Sequence, residues 1–231
     1  MPYFYGRREG DRVTIEGEDA RHLARSLRAR PGELIEVVEP AGRLLGVRLE
    51  SVSANLVSGV VESEAEHDPE PRRRVWLAVA MLPATALELV LSRCTEAGAA
   101  GFILVRAERS VARGGNPGRW ARICREASML SGRLVVPAVR GPVVPAAAVA
   151  MSFHPVLLDR SGTRSLEGAD LGDRCTLFLG PEGGWSAGER ALFGAPFTLG
   201  RRNLRADTAA LVALALTAGD RAGAGGGGGA A

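Results

Sequence analysis

Between residues 180 and 205 the chain gathers residue types that can hold a polar small molecule and act on it. Gly180, Pro181, Glu182, Gly183 and Gly184 follow the apolar run Cys175–Leu179. Three glycines in five positions suit either a tight turn with positive φ or a cleft walled by bare backbone. A second loop has the same design. Phe197, Thr198 and Leu199 lead into Gly200, and Arg201, Arg202, Asn203, Leu204 and Arg205 follow. Two glycine-bearing strand ends, a carboxylate and an arginine cluster point to a ligand cleft at the carboxyl ends of parallel strands. Neither Gly-x-x-x-x-Gly-Lys-Ser/Thr nor Gly-x-Gly-x-x-Gly is present. A mononucleotide P-loop and an ordinary dinucleotide site are therefore not expected.

Gly184-Trp185-Ser186-Ala187-Gly188 matches the pattern of a hydrolase nucleophile elbow. That fold needs its acid and then its histidine after the serine. His22, His67 and His154 all precede Ser186, and Pro181-Glu182-Gly183 separates the strand from the serine. Ser186 and Glu189 instead have capping-box spacing, which predicts that Ser186 caps the helix that follows. Cys94, Cys124 and Cys175 are far apart and odd in number, so neither a disulfide framework nor a metal site is expected.

These loops need a scaffold, and the second half of the chain supplies its pattern. Val75–Ala80, Gly101–Val105, Val156–Asp159 and Cys175–Leu179 read as buried strands. Helices are expected over about 84–97, stopped by Gly98, and from Asn116 as N-cap with Pro117 first in the helix to about residue 130. A last helix is expected over about 208–218. Alternating strands and helices predict an α/β domain with a largely parallel sheet. The first seventy residues differ. Val13–Ile15, Leu34–Val38, Leu44–Leu49 and Leu56–Val61 are short strands, with a turn at Pro40–Arg43. One helix over 19–28 carries Ala20, Leu23, Ala24 and Leu27 as its apolar stripe, and Pro31-Gly32 ends it. This pattern predicts a small β-barrel. The acidic, proline-bearing stretch Glu62–Pro71 is the expected boundary. The predicted division is 1–71, 72–221 and a Gly-rich disordered tail, 222–231.

Composition limits the partners. All 29 basic residues are arginine. Residues 1–71 carry a net charge of −5 and residues 72–231 a net of +8, which suits a polyanion at the second half. No apolar run is long enough to span a bilayer. The first eight residues lack the apolar stretch of a signal peptide, so the expected location is cytoplasmic, with no membrane partner.

Taken in order, these motifs resemble the ribosomal RNA small subunit methyltransferase E family of the SPOUT class. The resemblance rests on Arg21-His22-Leu23, Arg28 with Pro31-Gly32, Thr95-Glu96-Ala97-Gly98, Glu108-Arg109-Ser110, Glu126-Ala127 and Ser131-Gly132-Arg133. It closes with Gly180–Gly184, Leu199-Gly200 and Leu204–Ala209. It implies a small N-terminal PUA-like barrel, a C-terminal α/β domain with a deep trefoil knot, and a homodimer. It also implies S-adenosylmethionine as cofactor and N3 of a uridine in small-subunit ribosomal RNA, free or in the assembled subunit, as target. Leu179, Gly180, Pro181, Gly183, Gly184, Leu199, Gly200, Asn203, Leu204 and Thr208 are the implied cofactor residues. The chain departs from the family pattern at Arg93, Ala97, Leu130, Asn203, Ala206 and Asp207. A related SPOUT enzyme acting on a ribose 2′-hydroxyl and a non-catalytic RNA-binding relative remain as alternatives.

The N3 of uracil is protonated at neutral pH, so a nearby cation would favour the nucleophilic anion. Arg205 is the candidate for that role, with a phosphate clamp as its alternative. Glu182 is a candidate for contacting cofactor or base, or for bracing the loop by accepting backbone N–H bonds. Arg21, His22, Arg25, Arg28, Arg109 and Arg133 are the expected RNA contacts, which position RNA without reading its sequence.

Overall fold

The computed structural model describes residues 2–112 and 114–219. The expected Gly-rich tail lies outside the described residues. The chain divides into two compact units: Met1–Pro69 with Arg125–Val136, and Glu70–Cys124 with Pro137–Ala231.

The first unit is built on β1 (Phe4–Tyr5), β2 (Arg7–Glu9), β3 (Arg12–Glu16), β4 (Leu34–Glu39), β5 (Arg43–Val52) and β6 (Leu56–Glu66). They form one sheet in the order β1-β4-β5-β6-β3-β2. Only the β1–β4 pair is parallel. Alternate residues point inward, as the period of two requires. Val13, Ile15, Ile35, Val37, Leu45, Val47, Leu49 and Val57 meet Phe4 and Leu23 in the core. The two edge strands, β1 and β2, are consecutive in the chain with only Gly6 between them. A flat sheet would hold those edges about 24 Å apart, five strand spacings. Two trans peptide links span less than about 8 Å, so the sheet must curl into a half-barrel.

The expected helix over 19–28 is split. An α-helical turn, α1 (Gly17–Arg21), passes into a π-helical turn, His22–Leu27, which ends at Arg28 with φ 54°. The wider turn breaks the apolar stripe. Ala20 and Leu23 are buried, whereas Leu27 is 40% exposed. β6 runs on to Glu66, past the strand end expected at Val61, and the division between the units at Pro69 and Glu70 falls within the acidic stretch expected as the boundary. The outward carboxylates of β6 meet arginines of other strands: Glu62 pairs with Arg48 of β5 at 2.7 Å, and Glu64 with Arg43 of β5 and Arg8 of β2. Burial is not what makes this segment a strand, so its lack of apolar residues misled.

The second unit is a seven-stranded sheet of β7 (Arg74–Ala80), β8 (Gly101–Val105), β9 (Ala138–Val143), β10 (Pro155–Leu158), β11 (Arg164–Ser165), β12 (Arg174–Leu179) and β13 (Phe197–Thr198). The order is β11-β13-β10-β12-β7-β8-β9, and every pairing is parallel. β8 is buried throughout and β12 at every position after Arg174, which explains their unbroken aliphatic sequence. The helices are α2 (Ala84–Glu96), α3 (Pro117–Ser131), α4 (Pro145–Ala150), α5 (Ala187–Arg190) and α6 (Ala206–Ala218). As its sequence predicts, α3 opens with Asn116 Oδ1 accepting the Arg119 N–H at 3.1 Å. Residues 125–136 group with the first unit. α6 packs on β7, β12 and α2.

Candidate active site

β13, β10 and β12 are neighbours in the sheet although other segments separate them in the chain. Their carboxyl ends therefore open side by side, and the loops leaving them enclose a cavity of about 520 Å³. That volume is in the range of small-molecule and cofactor sites. The glycine loop forms one wall. Gly180 has no room for a side chain, because a Cβ there would lie 2.8 Å from Trp185 Nε1. Trp185 is 2% exposed and packs beside Phe178 and Phe193. The loop is thus seated on the aromatic core beneath it. At Gly200, φ is +105°, a conformation that turns the second loop into the cavity at little cost only for glycine.

The capping box predicted from sequence is present. Ser186 Oγ accepts the Glu189 N–H at 3.4 Å, and the Glu189 carboxylate accepts the Ser186 N–H at 2.8 Å. The other Glu189 oxygen accepts the Glu108 N–H at 2.7 Å. One buried carboxylate therefore ties the loop after β8 to the loop after β12. Ser186 is consumed by this capping.

Leu179, Gly180, Pro181, Gly183, Gly184, Leu199, Gly200, Asn203 and Leu204 all line the cavity, as do Glu182 and Arg205. Thr208, also expected there, is exposed one turn into α6 and does not line it. The remaining wall was not foreseen. Leu158, Asp159 and Arg160, at the end of β10, line it together with Trp185, Arg190 and Ala209, while Arg202 lines it from the arginine-bearing loop where the cleft was expected. Asp159, its side chain 8% exposed, pairs with Arg190 at 3.1 Å and accepts the Ser161 N–H at 2.9 Å. Arg190 also donates to the Trp185 carbonyl at 3.2 Å. That network joins the loop after β10 to the glycine loop. An Asp-Arg pair after a short strand carries no motif. Its signal was the position of β10 between β12 and β13, which is a topological fact.

The lining suits a zwitterionic ligand with a flat, partly apolar body. Leu158, Leu179, Leu199, Leu204 and Ala209 supply apolar surface, the glycine loops supply backbone groups, and Glu182 and the arginines supply charge. Among the described residues no cluster of side chains could hold a metal ion.

A family model described as RNA methyltransferase domain matches residues 68–218. A ribosomal RNA small subunit methyltransferase E from Synechocystis is 31% identical over 218 residues, covering 88% of this chain and 71% of that protein. The chain belongs to the ribosomal RNA small subunit methyltransferase E family. Two solved structures extend the likeness to the fold. A family member from Neisseria gonorrhoeae bound to S-adenosyl methionine superposes with a TM-score of 0.83 at 26% identity, covering 93% of this chain and 95% of that one. A Legionella pneumophila protein in complex with the bound cofactor SAM gives 0.79 at 25% identity, over 92% and 94%.

In this family member the residues expected to meet RNA are distributed unevenly. Arg21, His22, Arg25 and Arg28 are all exposed on the first unit, on and just after the α1 and π-helical segment. Arg109 is exposed, but its Nη1 donates to the Gly183 carbonyl at 2.8 Å. Arg133 is buried, at 3% exposure, which removes its guanidinium from the accessible surface. The Gly132 turn explains its setting. The Arg133 N–H donates to the Ser128 carbonyl, and its own carbonyl accepts the Tyr5 hydroxyl at 2.8 Å. Leu130, at a departure from the family pattern, is 62% exposed.

Proposed function

We propose that this chain methylates N3 of a uridine in small-subunit (16S) ribosomal RNA, with S-adenosylmethionine as donor. The observation that carries the reading is the meeting of the glycine loop and the arginine-bearing loop at one cavity, in a chain of this methyltransferase family. The fold takes a trefoil-knotted SPOUT form over 72–221, preceded by a PUA-like RNA-binding domain over 1–71. Support for the knot comes from the path of the chain. After β13, outside β10, it returns to pack α6 on β7 and β12. The half-barrel of the first unit supports the PUA-like assignment. The protein acts in the cytoplasm as a homodimer. No helix among the described residues is long and apolar enough to cross a membrane.

S-adenosylmethionine supplies an electrophilic methyl group. Leu179, Gly180, Pro181, Gly183, Gly184, Leu199, Gly200, Asn203 and Leu204, which line the cavity, would hold the cofactor; Thr208, outside the lining, would support them from α6. The apolar walls exclude water from the reacting centre. Arg205, at the start of α6 and in the cavity lining, would stabilise the charge that develops as N3 gives up its proton to water and takes the methyl group, with the thioether S-adenosylhomocysteine leaving. Glu182 contacts the cofactor or base from the rim. Arg21, His22, Arg25 and Arg28 hold the RNA backbone.

Two measurements test this. Calorimetry should show one S-adenosylmethionine bound per chain. Mass spectrometry of 16S ribosomal RNA from a deletion strain should lack a single base-methylated uridine, restored by the intact gene. A missing ribose methyl would move the target to a 2′-hydroxyl. An unchanged methylation pattern would sink the enzymatic reading.

A further inference from the structure

The cavity carries more positive charge than a zwitterionic cofactor requires. Arg160, Arg202 and Arg205 line it, and none of them enters an ion pair among the described residues. Asp159 and Arg190 neutralise one another. Glu182 is then the remaining carboxylate in the lining. The amino terminus of α6, thirteen residues long, adds its positive dipole end at Arg205 and Ala206. The surplus at the mouth is positive. S-adenosylmethionine itself carries a net positive charge, because the sulfonium and ammonium outweigh one carboxylate. A surplus of arginine repels it.

Surplus arginines at a cavity mouth are explained by a second, anionic ligand. Arg160 leaves β10 and Arg202 leaves β13, both are exposed, and both sit on the rim of the same cavity. We propose that Arg160 and Arg202 grip phosphates flanking the target nucleotide, so that RNA and S-adenosylmethionine bind with positive coupling. This rests on the methyltransferase reading above. Until RNA arrives, the two arginines weaken the hold on the charged donor. Phosphates neutralise them, and the penalty on the donor is relieved. By linkage the donor tightens RNA to the same degree. S-adenosylhomocysteine, neutral overall, does not share the effect. The rim therefore disfavours the donor relative to the spent cofactor until RNA is in place, and RNA removes that bias.

The test uses the full-length protein, S-adenosylmethionine, S-adenosylhomocysteine and a 16S ribosomal RNA transcript. Arg160→Gln with Arg202→Gln should bind S-adenosylmethionine on the order of threefold more tightly in the absence of RNA, with S-adenosylhomocysteine unchanged. The salt dependence of RNA binding should become shallower by about 0.7 per lost phosphate contact. The unaltered protein gives an independent reading. Raising ionic strength from about 0.05 to 0.3 M should tighten S-adenosylmethionine but not S-adenosylhomocysteine, because screening weakens the repulsion. Weaker binding of both cofactors by the double variant would assign the arginines to the cofactor carboxylate and overturn the proposal. Cofactor affinities and salt slope all unchanged would overturn it as well. An unaltered protein that binds neither cofactor would overturn the methyltransferase reading first, and this inference with it.

Discussion

Arg109 Nη1 donates to the carbonyl of Gly183 at 2.8 Å, joining the segment after β8 to the glycine loop after β12. A Cβ at Gly183 would stand 3.3 Å from Arg109 Cβ, so the two backbones are closely matched. The exposed guanidinium keeps donors to spare for a phosphate. Arg109→Ala should raise the KM for S-adenosylmethionine about threefold, through a looser loop, with kcat less affected. Steady-state kinetics against each substrate separates this from an RNA contact, which would raise the KM for RNA alone.

Gly180→Ala should damage both stability and cofactor binding. The added methyl meets the indole of Trp185 at 2.8 to 3.2 Å, and that ring is locked among Phe178 and Phe193. Overpacking of this kind costs about 1–3 kcal/mol, readable by urea denaturation. A smaller residue at 185 should make the two changes less than additive in a double-mutant cycle.

Arg205→Gln should slow single-turnover methylation about 10²-fold, the loss typical of a donor that stabilises developing charge. S-adenosylmethionine affinity measured by calorimetry should change by less than about threefold, the scale of a lost electrostatic neighbour. Turnover equal to the unaltered protein would remove Arg205 from the chemistry.

Alkaline pH should destabilise the fold through its buried thiols. Burial pushes Cys94 up to about 12 and Cys175 up to about 11, from an ordinary value of 9.0. Between pH 9 and those values the unfolded chain loses thiol protons that the folded chain keeps. Stability is therefore whole below pH 9 and declines as pH rises through the folded values. Urea titrations from pH 8 to about 11 should show the decline, and Cys94→Ala with Cys175→Ala should flatten it. Below pH 9 neither thiol of the folded protein should react with a disulfide reagent.

The α/β rhythm of the second unit was legible because its strands are buried on both faces, so Val75–Ala80 and Cys175–Leu179 read as aliphatic runs. Local chemistry was equally readable. Asn116 caps α3 and Ser186 caps α5 because both motifs are satisfied within three residues. What escaped depended on distant partners. Glu62 and Glu64 are strand residues on account of Arg48, Arg43 and Arg8, none of which is near them in the chain. Asp159 and Arg160 reach the cavity only because β10 is flanked by β12 and β13. The burial of Arg133 and the Arg109 bond to Gly183 likewise depend on contacts that spacing cannot encode.

The place of β12 in the second sheet has a consequence for synthesis. It joins β7, β8 and β9 on one side to β10 and β13 on the other, yet it is made after all of these except β13. A nascent chain that has not yet released Arg174–Leu179 holds the β7-β8-β9 fragment and a lone β10, whose two sheet neighbours, β12 and β13, are still to be made. Neither fragment owns a complete wall of the cavity. Ligand binding thus reports that translation has passed the last loops, and a prematurely terminated chain is left with unpaired central strands rather than a weakened enzyme.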